Sequence, residues 1–240
     1  MASLVPHDRA IRPLNRLSGW LFCLALVVVT GAGGCASWNP LKQREKSARD
    51  QEKYGATADT RIKKLRERSQ VVKAGSEQDR LEFTRELVSM MLEEHDPRVR
   101  CQILDTAAPF DTAAATAICT GALQDPHEMV RMKACEVWSK RGGEEAVALL
   151  ATRFQADTEI DVRLRALKML GELQDKQAIP VLARALEDPD PAVQYRAVTA
   201  LKKVSGRDLG NDVNDWREWA ADPESHKAEW SIAETFRRIF

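Results

Sequence analysis

The stretch "LEDPDPAVQYRAVTALKK", residues 186–203, decides the fold. An acid-proline turn signal is followed by a valine and then by an amphipathic run. Proline stops one helix and is tolerated in the first turn of the next, so Asp188-Pro189 reads as a junction between two helices. The same phrase recurs upstream. Val99, Val130, Val162 and Val193 align at spacings of 31, 32 and 31 residues. Five residues before each valine stands an acid: Glu94, Asp125, Asp157 and Asp188. One residue after stand Arg100, Arg131, Arg163 and Gln194. Four after come Ile103, Ala134, Ala166 and Ala197, and five after come Leu104, Cys135, Leu167 and Val198. Agreement at so many offsets marks a fixed period, and a period in this range is the signature of stacked supersecondary units.

Each unit reads as two helices. First helices are expected near residues 81–92, 112–123, 144–154 and 177–186, and second helices begin near the aligned valines. Asp96-Pro97, Asp125-Pro126 and Asp188-Pro189 mark the turns between them. The phrases "DPDPAVQYRAVTAL" and "DVRLRALKMLGEL" resemble HEAT repeats, in particular the short HEAT-like repeats of the phycobilisome-lyase type. The resemblance implies an all-α fold, an α-solenoid of about four two-helix repeats over residues 81–206. The closing stretch, residues 207–240, is similar to the ends of bacterial HEAT-repeat envelope proteins. A solenoid must cover its final apolar face, and Trp216 and Trp219, at helical spacing, suit that role. Ile232, Phe236, Ile239 and Phe240 make a second amphipathic stripe in the tail.

The beginning of the chain differs in kind. Arg9, Arg12 and Arg16 precede the uncharged run "LSGWLFCLALVVVTGAGG", which ends at Cys35. A basic start, an apolar stretch and a small-residue end describe a secretory signal. Ala32-Gly33-Gly34-Cys35 resembles a bacterial lipobox, with Ala32 where that pattern normally has leucine. The resemblance implies a signal peptide over residues 1–35, with Cys35 diacylated at the mature N-terminus. Two acyl chains anchor stably where one does not. An uncleaved membrane helix is the other reading, since the run is near the lower limit of about 17 residues for a span. Both place the remainder outside the cytoplasm, in the cell envelope. Residues 36–80 are polar and read as a tether, with a capping helix marked by Ile62, Leu65 and Val72 before Gly75.

Composition limits function. Lysine plus arginine equals aspartate plus glutamate, 36 each, which argues against a chain built as a whole to bind nucleic acid. Aromatic content of 6% and sparse glycine do not suit a β-sandwich or a nucleotide-binding sheet. There is no nucleophile elbow, phosphate-binding glycine loop or His-Glu-x-x-His sequence. His95 and His127 sit beside turns and read as exposed turn residues. No catalytic residue, metal or cofactor is expected. Cys101, Cys119 and Cys135 lie in apolar helical contexts and read as packed thiols, with a Cys119–Cys135 bridge as the alternative.

Angular position sorts the charges of the second helices. With each valine at zero and about 100° per residue, the apolar offsets cluster in one arc, and the arginine at offset one falls inside it. A charge there requires a partner. Arg100, Arg131 and Arg163 with Glu94, Asp125, Asp157 and Asp188 are therefore expected to form a structural ladder, within a unit or between units. Offsets three and six fall on the polar side. They read Gln102, Lys133, Arg165 and Arg196, then Asp105, Glu136, Lys168 and Thr199. In HEAT solenoids second helices line the concave surface, which makes Lys133, Arg165, Lys168 and Arg196 the candidate partner-binding residues, suited to an acidic protein segment. The leading expectation is a noncatalytic, lipid-anchored envelope protein that binds another protein. The alternatives are a lyase-like or chaperone-like activity on a cofactor-bearing protein, by resemblance alone, and a purely structural envelope linker.

Overall fold

In the computed structural model residues 40–223 are described. They are helical throughout apart from turns and connections, and they divide after Lys53 into two units. The first is represented by α1 (Pro40–Tyr54). This helix lies where a tether is expected. Its residues 42–50 are all exposed and form no buried stripe. Lysine, glutamine, arginine, glutamate and alanine have intrinsic helix preference without one, and that preference is invisible to a search for apolar periodicity.

The second unit contains the repeats. The first helices are α3 (Glu77–Glu93), α5 (Ala113–Gly121, continued by a 3-10 turn Ala122–Gln124), α7 (Gly143–Ala156) and α9 (Ile179–Ala185, preceded by a 3-10 turn Lys176–Ala178). The second helices are α4 (Pro97–Ala107), α6 (Glu128–Arg141), α8 (Ile160–Leu173) and α10 (Pro191–Ser205). Each second helix starts two residues before its aligned valine. Pro97 and Pro191 occupy the first helical turn, and Asp96 and Asp190 cap by accepting hydrogen bonds from the backbone N–H two residues on. His127, expected as an exposed turn residue, caps α6: its Nδ1 accepts from the Met129 N–H at 3.2 Å.

Every residue at the three apolar offsets is buried. Val99, Val130, Val162 and Val193 have no exposed surface, and neither do Ile103, Ala134, Ala166 and Ala197. Small residues set the spacing of the layer. A side chain on Gly171 of α8 would meet Ala200 of α10 at 2.9 Å, so these two helices approach as closely as glycine against alanine permits.

Two further helices close the stack. α2 (Ala58–Lys73) packs beside α4, at the start of the row of second helices. It buries Leu65 and Ser69 and covers Gln102. Gln102 was expected on the solvated face. Instead it is buried, accepting from Arg66 Nε at 2.8 Å and donating to Thr106 Oγ1. At the other end α11 (Val213–Ala221) lies on α9 and α10. Trp216 and Trp219 are both buried there and meet edge to face, 5.5 Å between ring centres. Trp216 Nε1 donates to the Gly210 carbonyl at 3.0 Å, which satisfies the polar group of a fully buried indole. The signal run, Cys35 and the stripe of Ile232, Phe236, Ile239 and Phe240 lie outside the described residues.

Candidate interaction surface

The acids at offset minus five sit in the turns between paired helices. One oxygen of each accepts the N–H two residues on: Asp96 to Glu94 at 2.9 Å, His127 to Asp125 at 2.8 Å, Glu159 to Asp157 at 3.0 Å and Asp190 to Asp188 at 3.0 Å. That bond shapes the turn and leaves the rest of the carboxylate facing the preceding unit. There it meets the arginine at offset one. Arg100 donates through Nε and an Nη to Asp125, both at 2.8 Å. Arg131 does the same to Asp157 at 2.8 and 2.9 Å. Arg163 pairs with Asp188. The remaining N–H groups turn back to carbonyls of their own unit, Glu94 and His95 for Arg100, Asp125 and Pro126 for Arg131. Arg100 and Arg131 thus tie their own turns to the next ones with the two-pronged geometry suited to carboxylates, while Arg163 reaches Asp188 through one Nη and turns its Nε to the Phe154 carbonyl.

Burial differs along the ladder. The Asp157 side chain is 1% exposed and its partner Arg131 12%, whereas Arg163 is 24% exposed. Burial alone would push the Asp157 carboxyl up. The Arg131 hydrogen bonds, the Glu159 N–H and the charges of Arg153 and Arg131 outweigh it and hold the group below its ordinary range.

Several members of this edge carry no signal at the aligned offsets. Arg61 of α2 donates to Glu94 at 3.1 Å, adding a rung before the first valine. Arg153 of α7 is buried, 3.0 Å from Asp157 as an ion pair, and donates to the Leu123 carbonyl and to Gln124 Oε1. Its signal was the i, i+4 spacing to Asp157. Gln194, in place of a fourth arginine, donates to the Asp188 carbonyl at 2.7 Å. Arg217 of α11 ends the series, donating to the Leu186 carbonyl at 2.7 Å and pairing with Glu187 at 2.7 Å.

The polar face of the second helices is arranged differently. Lys133 lies between Asp105, at 3.0 Å, and Glu136, at 3.4 Å. Burial lowers the proton affinity of this ammonium, but the two carboxylates outweigh it and raise the group above its ordinary value. Arg165 donates to the same Glu136 at 2.7 Å. Lys168 is exposed. Arg196 is half-buried, and its Nε is buried without a hydrogen-bond partner among the described residues. Beside it Tyr195 is 61% exposed. The four candidate residues are thus not one continuous basic strip. Local acids already engage Lys133 and Arg165, and the positive end of the face is at α8 and α10.

Cys119 and Cys135 are free and buried, and Cys101 is free and half-buried. Burial pushes the Cys135 thiol up to about 12 and the Cys101 thiol up to about 11. Neither position provides the electropositive, exposed setting of a reactive thiolate. Among the described residues no group of three or more His, Cys, Asp and Glu side chains could hold a metal ion.

No curated protein matches the chain in sequence. The family model for HEAT repeats matches twice, over residues 84–164 and 150–222. Those two spans run from the middle of α3 to the end of α11 and contain the four aligned valines, the ladder turns and the tryptophan cap. With more than half of its length accounted for in this way, the chain belongs to the HEAT-repeat family.

Proposed function

We propose that this protein is a noncatalytic, lipid-anchored scaffold of the cell envelope that binds a protein partner through the second helices of its solenoid. The repeat architecture supports an interaction scaffold, since stacked repeats create an extended binding surface rather than an enclosed pocket. The observation that carries the reading is the α8–α10 end of the polar face. There Lys168 is exposed, Arg196 is half-buried with no ion pair among the described residues, and Tyr195 stands out into solvent. An acidic segment with one apolar side chain complements that group. Tyrosine and arginine are also the residue types most often dominant at interfaces. Arg9, Arg12 and Arg16, the uncharged run and Ala32-Gly33-Gly34-Cys35 support the anchor.

Crosslinking in native membranes tests both parts. The wild-type chain should yield one stoichiometric protein partner, and its mature N-terminus should be a lipid-modified Cys35. The double variant Lys168→Glu/Arg196→Glu, shown to be folded by circular dichroism, should lose that partner. Retention of the partner by the folded variant would move binding away from this face, and a mature chain that keeps Met1 would replace the lipid anchor with a membrane helix.

A further inference from the structure

The ends of the first helices show a pattern with one gap. The last carbonyls of a helix have no partner within it and carry the negative end of its dipole, so a cation is favoured there. In the second unit Arg153 supplies one, donating to the Leu123 carbonyl and Gln124. In the third, Arg163 Nε donates to the Phe154 carbonyl at 3.2 Å. In the fourth, Arg217 donates to the Leu186 carbonyl and pairs with Glu187. The end of α3 has the same features in the same order, Leu92 and then Glu93. Among the described residues nothing donates to the Leu92 carbonyl.

The reason lies in α5. Arg153 stands four residues before the ladder acid Asp157, and the matching residue before Asp125 is Gly121. A glycine here leaves open the space that an arginine side chain fills one repeat later. A pocket of about 420 Å³ occupies it, lined among others by Val88, Met91, Leu92, Ile118, Gly121 and Asp125. Among the described residues the side chains leave this end uncovered. Leu123, Phe154 and Leu186 are at most 5% exposed, but Leu92 in the same column is 82% exposed. Asp125 also has capacity to spare. Asp157 takes both Arg131 and Arg153, whereas Asp125 takes Arg100 alone.

We infer that the slot between α3 and α5 receives an arginine of a partner protein, its guanidinium between the Leu92 carbonyl and Asp125, with an apolar neighbour of that arginine covering Leu92. The site is separate from the α8–α10 face, and the two stand or fall independently. The matched position supplies the test. Gly121 has φ −60° and ψ −37°, a backbone any residue adopts, and a Cβ there meets nothing within 4 Å. Gly121→Arg should therefore fill the slot from within and melt at higher temperature than Gly121→Ala. The probe is the blocked dipeptide acetyl-Leu-Arg-amide, with its citrulline counterpart as the uncharged isostere, followed by NMR of the full chain. The arginine peptide should shift the Leu92 and Gly121 amides saturably and bind at least tenfold more tightly than the citrulline peptide. Gly121→Ala should retain that binding and Gly121→Arg should lose it. Equal binding of the two peptides, or undiminished binding to Gly121→Arg, would overturn the assignment. So would tenfold tighter binding to Arg237→Gln/Arg238→Gln, which would give the slot to the chain's own tail.

Discussion

Arg163 and Arg165 lie two residues apart on α8 and belong to different parts of the molecule. Arg163 is on the ladder edge, where acids in the interhelical turns reach across to the preceding unit. Arg165 is on the polar face, where it shares Glu136 with Lys133. Both regions contain oppositely charged residues at repeat spacing. They differ in how much water remains. The central ladder pair has side chains 12% and 1% exposed, and the Arg165–Glu136 pair 33% and 29%. Removing one partner from a dry pair strands a charge, while removing one from a wet pair returns the other to solvent. Charge pattern alone therefore does not distinguish a structural pair from a surface pair. Burial does, and in a solenoid the offset from the core residues determines burial.

The largest effect that separates the regions is expected at Asp157. Its removal strands two arginines, Arg131 and Arg153, both of low exposure. Asp157→Ala should cost about 3–5 kcal/mol, and Glu136→Ala less than about 1 kcal/mol. Urea denaturation of both variants measures the contrast. Equal losses would mean that water reaches the ladder edge as freely as it reaches the polar face.

Within α8 the contrast is smaller, because the Arg163 pair is nearer the end of the ladder and more exposed. Arg163→Ala leaves Asp188 and the Phe154 carbonyl short of a donor. It should cost about 1–3 kcal/mol, the usual penalty for a partly buried group left unpaired. Arg165→Ala should cost under about 1 kcal/mol. A smaller loss for Arg163→Ala than for Arg165→Ala would reverse the assignment of the two faces.

How far these differences could be read from the chain depends on the kind of signal. The valine period and its apolar offsets located all four second helices, since core spacing constrains residue type at every repeat. The ladder partners could be named, because a charge at an apolar angle calls for an opposite charge. Whether the pairing lay within a unit or between units required the structure, since stacking of repeats brings the next unit's acid, 25 or 26 residues away, beside an arginine whose own unit also carries an acid. Arg61, Arg153 and Arg217 were missed for a common reason. They lie on α2, a first helix and the cap, outside the register of the aligned valines, yet all three converge on the same turns. The sequence places Lys133, Arg165, Lys168 and Arg196 on the polar face with Asp105 and Glu136, but offsets three and six taken row by row do not show which of the cations these acids engage. A long lysine side chain crosses between rows and helices, and Lys133 of α6 reaches Asp105 on α4, the second helix of the preceding unit.

The two regions should also respond at opposite ends of the pH scale. Asp157 is held below its ordinary range in the folded chain. Its contribution to stability is complete above its unfolded value of about 3.9 and is lost as pH falls through the lower folded value. Lys133 is raised, so its contribution is complete below its unfolded value of about 10.4 and is lost as pH rises through the folded value. Asp157→Asn should flatten the acid limb of the stability profile and leave the alkaline limb unchanged. Lys133→Gln should do the reverse, with a smaller amplitude because the side chain is partly exposed. Acid and alkaline titrations followed by circular dichroism would show it, and a variant that altered the opposite limb would break the comparison.

The smallest expected difference is in salt. Exposed charges interact through water and its ions, and the screening length falls from about 10 Å at 0.1 M to about 3 Å at 1 M. Lys133 is 25% exposed, and its partners Asp105 and Glu136 are 39% and 29% exposed, so ions approach all three. The cost of Lys133→Gln should therefore shrink by a few tenths of a kcal/mol between 0.1 and 1 M sodium chloride, a sizeable part of what a surface pair contributes. Arg131 and Asp157 are held by two aligned hydrogen bonds at 2.8 and 2.9 Å with almost no exposed carboxylate. Ions cannot enter between them, and the cost of Arg131→Ala should stay constant over the same range. Measuring both variants and the wild type at each salt concentration cancels the general effect of salt on apolar burial, which acts on all three alike. If the cost of Arg131→Ala fell with salt as much as that of Lys133→Gln, the ladder would be a surface network, and the register of the repeats would rest on the close helix contacts at Gly171 and Ala200 instead.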